Sequence, residues 1–549
     1  MPRDTRILPI LSGPAALSFY AAFAFAAFCL IGITGPGLFY DELHQACASF
    51  LYLDNTLTNV PFSYLIGKIP VLNMGYSGAI KSLVYGAYLV IFKEFSVLSW
   101  RFFGVFFVSL GLFAAVLMMI RRQGIVPAAI FIALFFTDTD IYLSTRLDWG
   151  PTALALALRL VFIAVWINGE RVASSRSSLT FWLGLIFSLS VFEKLSSVVL
   201  LAPLLCIVLS KTTRFNLRHV RSAFWGALAG SLPLVIINIH SYVTRNNLVS
   251  LGGVSVIAPG NFVNFAAQYL NLGSGASFFI HVYDLERPAW VVSGALAFTC
   301  ALLIISAAVT FAFRRYDTQA KIGFISLVSY LAIGILFYYF PQRTWAHHWI
   351  VGTPFQYVAM AMTMGFLWRC SFLLERITFI RTFFSLIIFI FIIFRIAGLV
   401  QFIYVGSQNQ YGKRWNQEYT ELGIFSSKHA REAFFVASDW GVGTQIACFT
   451  SCAPGIVYEV FGQDKKELQT QLEAIMDQTA KNIMYVVRPV KPIINNFEAN
   501  VSFVEDFIAG RDGWTEVSLP NDVPRKAISI RKYVRKNTPS SEILNRPSK

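Results

Sequence analysis

The stretch GPGLFYDELHQACASF, residues 35–50, places two adjacent acids, Asp41 and Glu42, just past the end of a long apolar run. A carboxylate pair there costs free energy if drawn into lipid, so it is expected to face an aqueous cavity or a cationic partner. The plain alternative is a solvated acidic loop, since Asp-Glu is a common dipeptide. Other polar residues fall on the same membrane edge: Lys81, Arg146, Asp148, His240, Arg343, His347 and His348. One or two acids among cations suit a reaction in which a carboxylate takes a proton from an acceptor while cations stabilise a departing phosphate. Each residue also has a structural reading. Lys81 and Arg343 suit head-group anchors, His347 and His348 interfacial rings, and Arg146 with Asp148 an ion pair. The two histidines also suit a divalent metal, but no clear third ligand accompanies them.

The elements that must position these residues are membrane helices. Of 549 residues, 56% are hydrophobic and only 14% charged, far more apolar than soluble cores require. The formal charge of +15 does not indicate nucleic acid, because the Arg and Lys residues cluster between apolar runs, where they set orientation. MPRDTR precedes an apolar run reaching about Ile33, too long for a signal sequence and without a convincing small-residue cleavage site. It reads as an uncleaved first span of a multi-pass protein of the inner (plasma) membrane, with Arg3 and Arg6 cytoplasmic. Asp41 then emerges on the periplasmic or extracytoplasmic face.

Residues from about 35 to 98 form a long outer loop, expected to lay amphipathic helices on the membrane surface. Loops of this length are usually functional. One crossing is expected at about 100–120 and another at about 124–143. A third, about 151–167, carries Arg159, which should face the bundle or find a partner. Glu193 and Lys194 divide residues 181–210 into two short apolar runs, so two short helices meeting at a polar turn are expected. A second outer loop covers about 240–288. In all about eleven crossings are expected through residue 405, with the C-terminus outside.

From about 406 to 535 the composition is that of a soluble α/β domain, expected on the periplasmic side. AFFVASDWG and NIMYVVRPV read as buried strands, GVGTQIACF and KKELQTQLEAIMDQ as helices, and WTEVSL with AISIRKYV as closing strands. Residues 536–549 read as a disordered tail. The seven cysteines show no metal-ligand spacing. Cys448 and Cys452 are close enough for a local disulfide or for two unpaired thiols. The expected fold class is therefore mostly α: a polytopic helix bundle with a long first outer loop and a C-terminal α/β domain.

In its order of features the chain resembles the GT-C glycosyltransferases of the protein O-mannosyltransferase and lipid A aminoarabinose transferase type. Asp41-Glu42 after the first span is similar to the acidic signature of that family, and GYSGAIKSLVYGAYLVIFKE to its surface-helix region, with Lys81 at the position of a phosphate-binding lysine. LSTRLDWGP resembles a segment at the outer end of the third span, and RTWAHHWIVGTP occupies the place of a late periplasmic loop, here unusually rich in Trp and His. The resemblance implies an inverting transfer of sugar from a polyprenyl-phosphate donor to a hydroxyl of a glycolipid, polysaccharide or protein. It implies Asp41 as general base, Glu42 as an orienting acid, Lys81, Arg343, His347 and His348 at the donor phosphate, and Arg146 and Asp148 in support. A lipid-linked sugar flippase is the alternative, although no internal repeat is visible and the charges crowd one membrane face. A non-catalytic assembly protein would leave the long first loop without a purpose.

Overall fold

The computed structural model describes residues 13–52, 63–170, 176–210, 217–251, 260–341, 344–370, 375–439, 441–460, 464–491, 498–519 and 526–536. Arg3, Arg6, Arg343 and the segment 537–549 lie outside the described residues.

The chain is a helix bundle with a sheet at its C-terminal end. Among the described residues six helices are long and apolar enough to cross a membrane: Val97–Gln123, Thr152–Gly169, Leu217–Arg245, Ala289–Phe313, Thr318–Tyr338 and Ile377–Ser407. Shorter apolar helices include Pro14–Leu30, Ser177–Glu193 and Leu195–Ser210. Helix Val97–Gln123 shows how local chemistry sets such ends. The Ser96 hydroxyl caps its start by accepting from the Ser99 N–H at 3.1 Å, Arg121 and Arg122 occupy its last turn, and Gly124 with φ 99° ends it.

The crossing expected at 124–143 is not straight. Helices Ile125–Phe136 and Thr139–Leu147 meet at a 66° bend. The Asp138 side chain accepts from the Ile141 N–H at 2.8 Å and starts the second helix. Its other oxygen pairs with Arg395 at 2.9 Å and accepts from the Tyr357 hydroxyl. Asp138 thus satisfies one backbone N–H at the break, and Arg395 Nη1 donates to the Leu134 carbonyl at 3.2 Å on the other side of it.

The first outer loop also differs from expectation. The loop has a helix, Ile80–Phe92, but strands β1 (Ser63–Ile66), β2 (Ile69–Asn73) and β3 (Ser77–Gly78) form an antiparallel sheet ahead of it that the sequence does not predict. Gly67, with φ 61°, supplies the backbone conformation that the two-residue turn between β1 and β2 needs. The polar turn expected at Glu193-Lys194 is present, and this sheet sits on it. Ser77 bridges to Lys194, and the Leu195 N–H donates to the Tyr76 carbonyl at 3.0 Å.

In the C-terminal region β4 (Ala433–Ala437), β5 (Val457–Glu459), β6 (Ile483–Pro489), β7 (Trp514–Val517) and β8 (Ile528–Arg535) form one sheet in the order β5-β4-β6-β8-β7. β4 runs parallel to both neighbours, and β8 is antiparallel to β6 and β7. All five residues of β4 are buried, as a central parallel strand covered on both faces requires.

This region is locked to the loop that carries Asp41. Cys47 and Cys452 form a disulfide across 405 positions of sequence, with Cα atoms 5.5 Å apart. Cys452 therefore pairs with the first loop rather than with Cys448, which is a free buried thiol whose Sγ lies 3.9 Å from the Leu43 carbonyl. The Gly37 N–H donates to the Trp415 carbonyl at 2.7 Å, and Gln445 Nε2 donates to the Leu38 carbonyl at 2.9 Å. A Cβ at Gly37 would stand 1.8 Å from the Asn416 carbonyl oxygen, so only glycine permits this approach.

Candidate active site

Asp41 sits in the short helix Tyr40–Leu43, where the chain turns immediately after the first apolar helix. Its Oδ2 accepts from the Trp149 indole N–H at 3.0 Å. Its Oδ1 carries no hydrogen bond among the described residues, and part of the side chain remains accessible. Burial pushes the Asp41 carboxyl above the ordinary aspartate range, against the Trp149 hydrogen bond and the charges of Arg414 and Lys194. An acid so placed can accept a proton, and the cations beside it are available to a departing anion.

Glu42 faces the other way. Arg101 Nε binds Glu42 Oε1 at 2.6 Å and Arg101 Nη2 binds Oε2 at 2.8 Å, with both side chains fully buried. The same guanidinium donates to the carbonyls of Ile33, Pro36 and Gly37 at 2.7–2.9 Å. Trp100 Nε1 adds a bond to the Glu42 carbonyl at 3.1 Å. Glu42 and Arg101 thus fold the GPGLFYDE turn and aim its neighbour Asp41.

Lys81 lies in helix Ile80–Phe92 and binds Asp148 Oδ2 at 2.5 Å, with both residues buried. Its ammonium also rests 3.8 Å from the centre of the Trp100 ring. Asp148 Oδ1 accepts from the Ala153 N–H at 2.8 Å. The ion pair between Arg146 and Asp148, the structural reading of these two residues, does not form. Arg146 turns back along its own helix to the Tyr142 hydroxyl and ring, because Lys81 reaches Asp148 from the other side.

His347 comes to the site through Trp149. The two rings stack with centroids 4.5 Å apart and 24° between planes, and His348 lies 4.1 Å from His347. His348 Nδ1 accepts from the Trp345 N–H at 3.1 Å. Burial lowers the basicity of both histidines well below normal, so both are neutral near pH 7. His240 is exposed near the end of helix Leu217–Arg245 and makes no side-chain contact with this cluster among the described residues. Among the described residues the one group of three potential metal ligands is Cys47, Cys448 and Cys452, of which two are spent in the disulfide.

Three residues beside Asp41 were not among the sequence candidates. Trp149 follows Asp148 in the LSTRLDWGP stretch. Lys194 extends from the polar turn and donates to the Gly150 carbonyl, which places its charge beside both Asp41 and Asp148. Arg414 comes from beyond the last membrane helix and lies over the rings of Phe39 and Trp149 at 5.7 and 5.9 Å. Arg159, expected to face the bundle or find a partner, does the first: it is fully buried on helix Thr152–Gly169, and its guanidinium nitrogens make no hydrogen bond among the described residues.

No protein-family model matches the chain, and no curated protein matches it in sequence. Solved structures match its fold, among them two of ArnT. The crystal structure of ArnT from Cupriavidus metallidurans bound to undecaprenyl phosphate aligns with a TM-score of 0.59 and 9% identity, covering 93% of this chain and 97% of that one. ArnT from the same organism in the apo state aligns with a TM-score of 0.56 and 10% identity, covering 85% and 92%. With identities this low, the likeness is one of architecture. The chain shares the fold of these two ArnT structures over most of its length.

Proposed function

We propose that this protein is a membrane glycosyltransferase that moves a sugar from a polyprenyl-phosphate carrier to a hydroxyl acceptor on the outer membrane face. The observation that carries the reading is the Asp41 carboxylate, with one oxygen held by Trp149, the other open, and Lys194 and Arg414 beside it. The likeness to a structure of ArnT bound to undecaprenyl phosphate supports the choice of carrier. On this reading the C-terminal α/β domain is periplasmic and the N-terminus cytoplasmic.

Asp41 Oδ1 takes the acceptor hydroxyl proton as the acceptor oxygen forms its bond to the anomeric carbon. The bond from that carbon to the phosphate oxygen breaks, and the electron pair leaves with the polyprenyl phosphate. Attack from the face opposite the phosphate inverts the anomeric centre. Lys81 shares its charge between Asp148 and the phosphate, while Lys194 and Arg414 offset the developing negative charge. His347 and His348 serve the phosphate from the late loop, Arg343 supplies a further positive charge for it, Arg146 adds positive charge, and Glu42 positions the base through Arg101.

The reading is tested by supplying labelled polyprenyl-phosphate sugars to membranes with and without this chain and following label into endogenous glycolipid, glycan and protein. Label that moves only with the chain present is the expected result. Carrier that changes sides of the membrane without losing its sugar would favour the flippase instead.

A further inference from the structure

Beside the Asp41 turn lies a second cavity with chemistry unlike that of the cation cluster. It has a volume of about 180 Å³ and is lined by His44, Cys47, Gly443, Thr444, Ala447, Val457 and Glu459. One wall belongs to the first outer loop and the other to helix Gly443–Phe449 and β5 of the C-terminal region, and the disulfide between Cys47 and Cys452 holds the two together.

Of its polar side chains, His44 and Thr444 are buried and lack hydrogen-bond partners among the described residues, and Glu459 is half-buried. His44 is 1% exposed, and neither of its ring nitrogens makes a hydrogen bond among the described residues. The Thr444 hydroxyl, on a residue 5% exposed, is likewise unsatisfied. Glu459, at the end of β5, packs its carboxyl against Gly443, where a Cβ would approach Oε1 to 2.3 Å. Buried polar atoms without partners are costly, and a ligand bearing hydroxyls satisfies them.

The chemistry of the walls narrows the ligand. No Lys or Arg lines the cavity, so it does not suit a phosphate. A hydroxyl, an imidazole and a carboxyl offer donors and acceptors together, and Ala447, Val457 and the disulfide offer an apolar face. That combination suits a pyranose ring, with hydroxyls at its edge and C–H groups on its face. The volume falls below the roughly 300–1,000 Å³ of drug-sized sites, so a single ring fills it. His44 caps the helix that begins with Tyr40, three residues from Asp41, which brings the cavity to the side of the proposed base.

We propose that this cavity is the acceptor subsite and holds one neutral saccharide ring, with His44, Thr444 and Glu459 as its hydrogen-bonding groups. It rests on the glycosyltransferase reading for its role but not for its binding chemistry. His44 is held neutral at physiological pH by its burial, with its pKa lowered to about 4, and burial pushes Glu459 up to about 7, so its carboxyl is about half protonated near neutral pH and can donate as well as accept.

The test uses the full chain in lipid nanodiscs, with saturation-transfer NMR against methyl glucoside, galactoside, mannoside and N-acetylglucosaminide, and a separate binding titration with undecaprenyl phosphate. At least one pyranoside is expected to bind the wild type. Thr444→Val combined with Glu459→Gln, both close to isosteric, should weaken that pyranoside about tenfold or more, as loss of two hydrogen bonds implies. Undecaprenyl phosphate affinity should stay within about twofold. Undecaprenyl phosphate binding with no pyranoside bound, or with pyranoside binding indifferent to the double variant, would overturn the subsite. Pyranoside binding lost in the variant, with no undecaprenyl phosphate binding in either protein, would uphold the saccharide site and overturn the transferase reading.

Discussion

The indole N–H of Trp149 donates to Oδ2 of Asp41 at 3.0 Å, joining two residues 108 positions apart. The bond fixes the orientation of the carboxylate and favours its charged form. Trp149→Phe keeps the ring stacked on His347 but removes the donor. Its Asp41 pKa rises further, so the acid limb of the pH profile for transfer should move to higher pH. Transfer at neutral pH should fall about tenfold, by analogy with a lost charge-assisted hydrogen bond of about 1.5 kcal/mol. A pH series of initial rates reads both effects, and an unmoved acid limb would remove Trp149 from the base's environment.

Glu42 and Arg101 form a buried bidentate pair that also gathers three backbone carbonyls. Arg101→Ala leaves the Glu42 carboxylate unpaired in the interior and is expected to cost about 3–5 kcal/mol. Thermal unfolding in detergent should show the loss. The fraction that remains folded should bind undecaprenyl phosphate normally, because the pair shapes the turn rather than the phosphate site.

Lys81 is shared between Asp148 and the proposed donor phosphate. Asp148→Asn should leave more of the Lys81 charge for phosphate and tighten undecaprenyl phosphate binding several-fold. Lys81→Met should weaken it by about tenfold, ~1.4 kcal/mol. A titration in which the two variants shift affinity in the same direction would contradict the competition.

The disulfide between Cys47 and Cys452 leaves five free cysteines: Cys29, Cys206, Cys300, Cys370 and Cys448. Denatured protein should therefore take up five alkylating labels before reduction and seven after it. Replacing Cys47 and Cys452 together by Ser should lower stability by about 2–5 kcal/mol and depress transfer, because the Asp41 turn is then no longer tied to the C-terminal sheet. Labelling at Cys47 without reduction would show the bond to be absent.

The parts legible in the sequence were those dictated by solvation. Asp41 stood out because lipid excludes charge from the end of an apolar run, and Lys81 and Asp148 because they fell on the same edge. Strands β4 and β6 of the C-terminal sheet were legible because they are nearly continuous apolar runs, whereas the three-residue β5 is too short to show a pattern. What escaped was set by contacts distant in sequence. The 405-residue span of the disulfide gave no local sign that Cys452 prefers Cys47 to Cys448. Arg414 lay in what read as the soluble region, and Lys194 read only as a costly charge that needed a turn. The bend at Asp138 depends on Arg395 and Tyr357 from later helices, so the periodicity of 124–143 did not reveal it.

The central claim is that Asp41 removes the acceptor proton. The most direct measurement compares the wild type with Asp41→Asn at matched folded amounts, following transfer from a labelled polyprenyl-phosphate sugar and binding of undecaprenyl phosphate in the same preparations. We expect transfer to fall by about 10²–10⁴-fold while lipid binding stays within about twofold. Transfer at the wild-type rate in Asp41→Asn would contradict the assignment of the base.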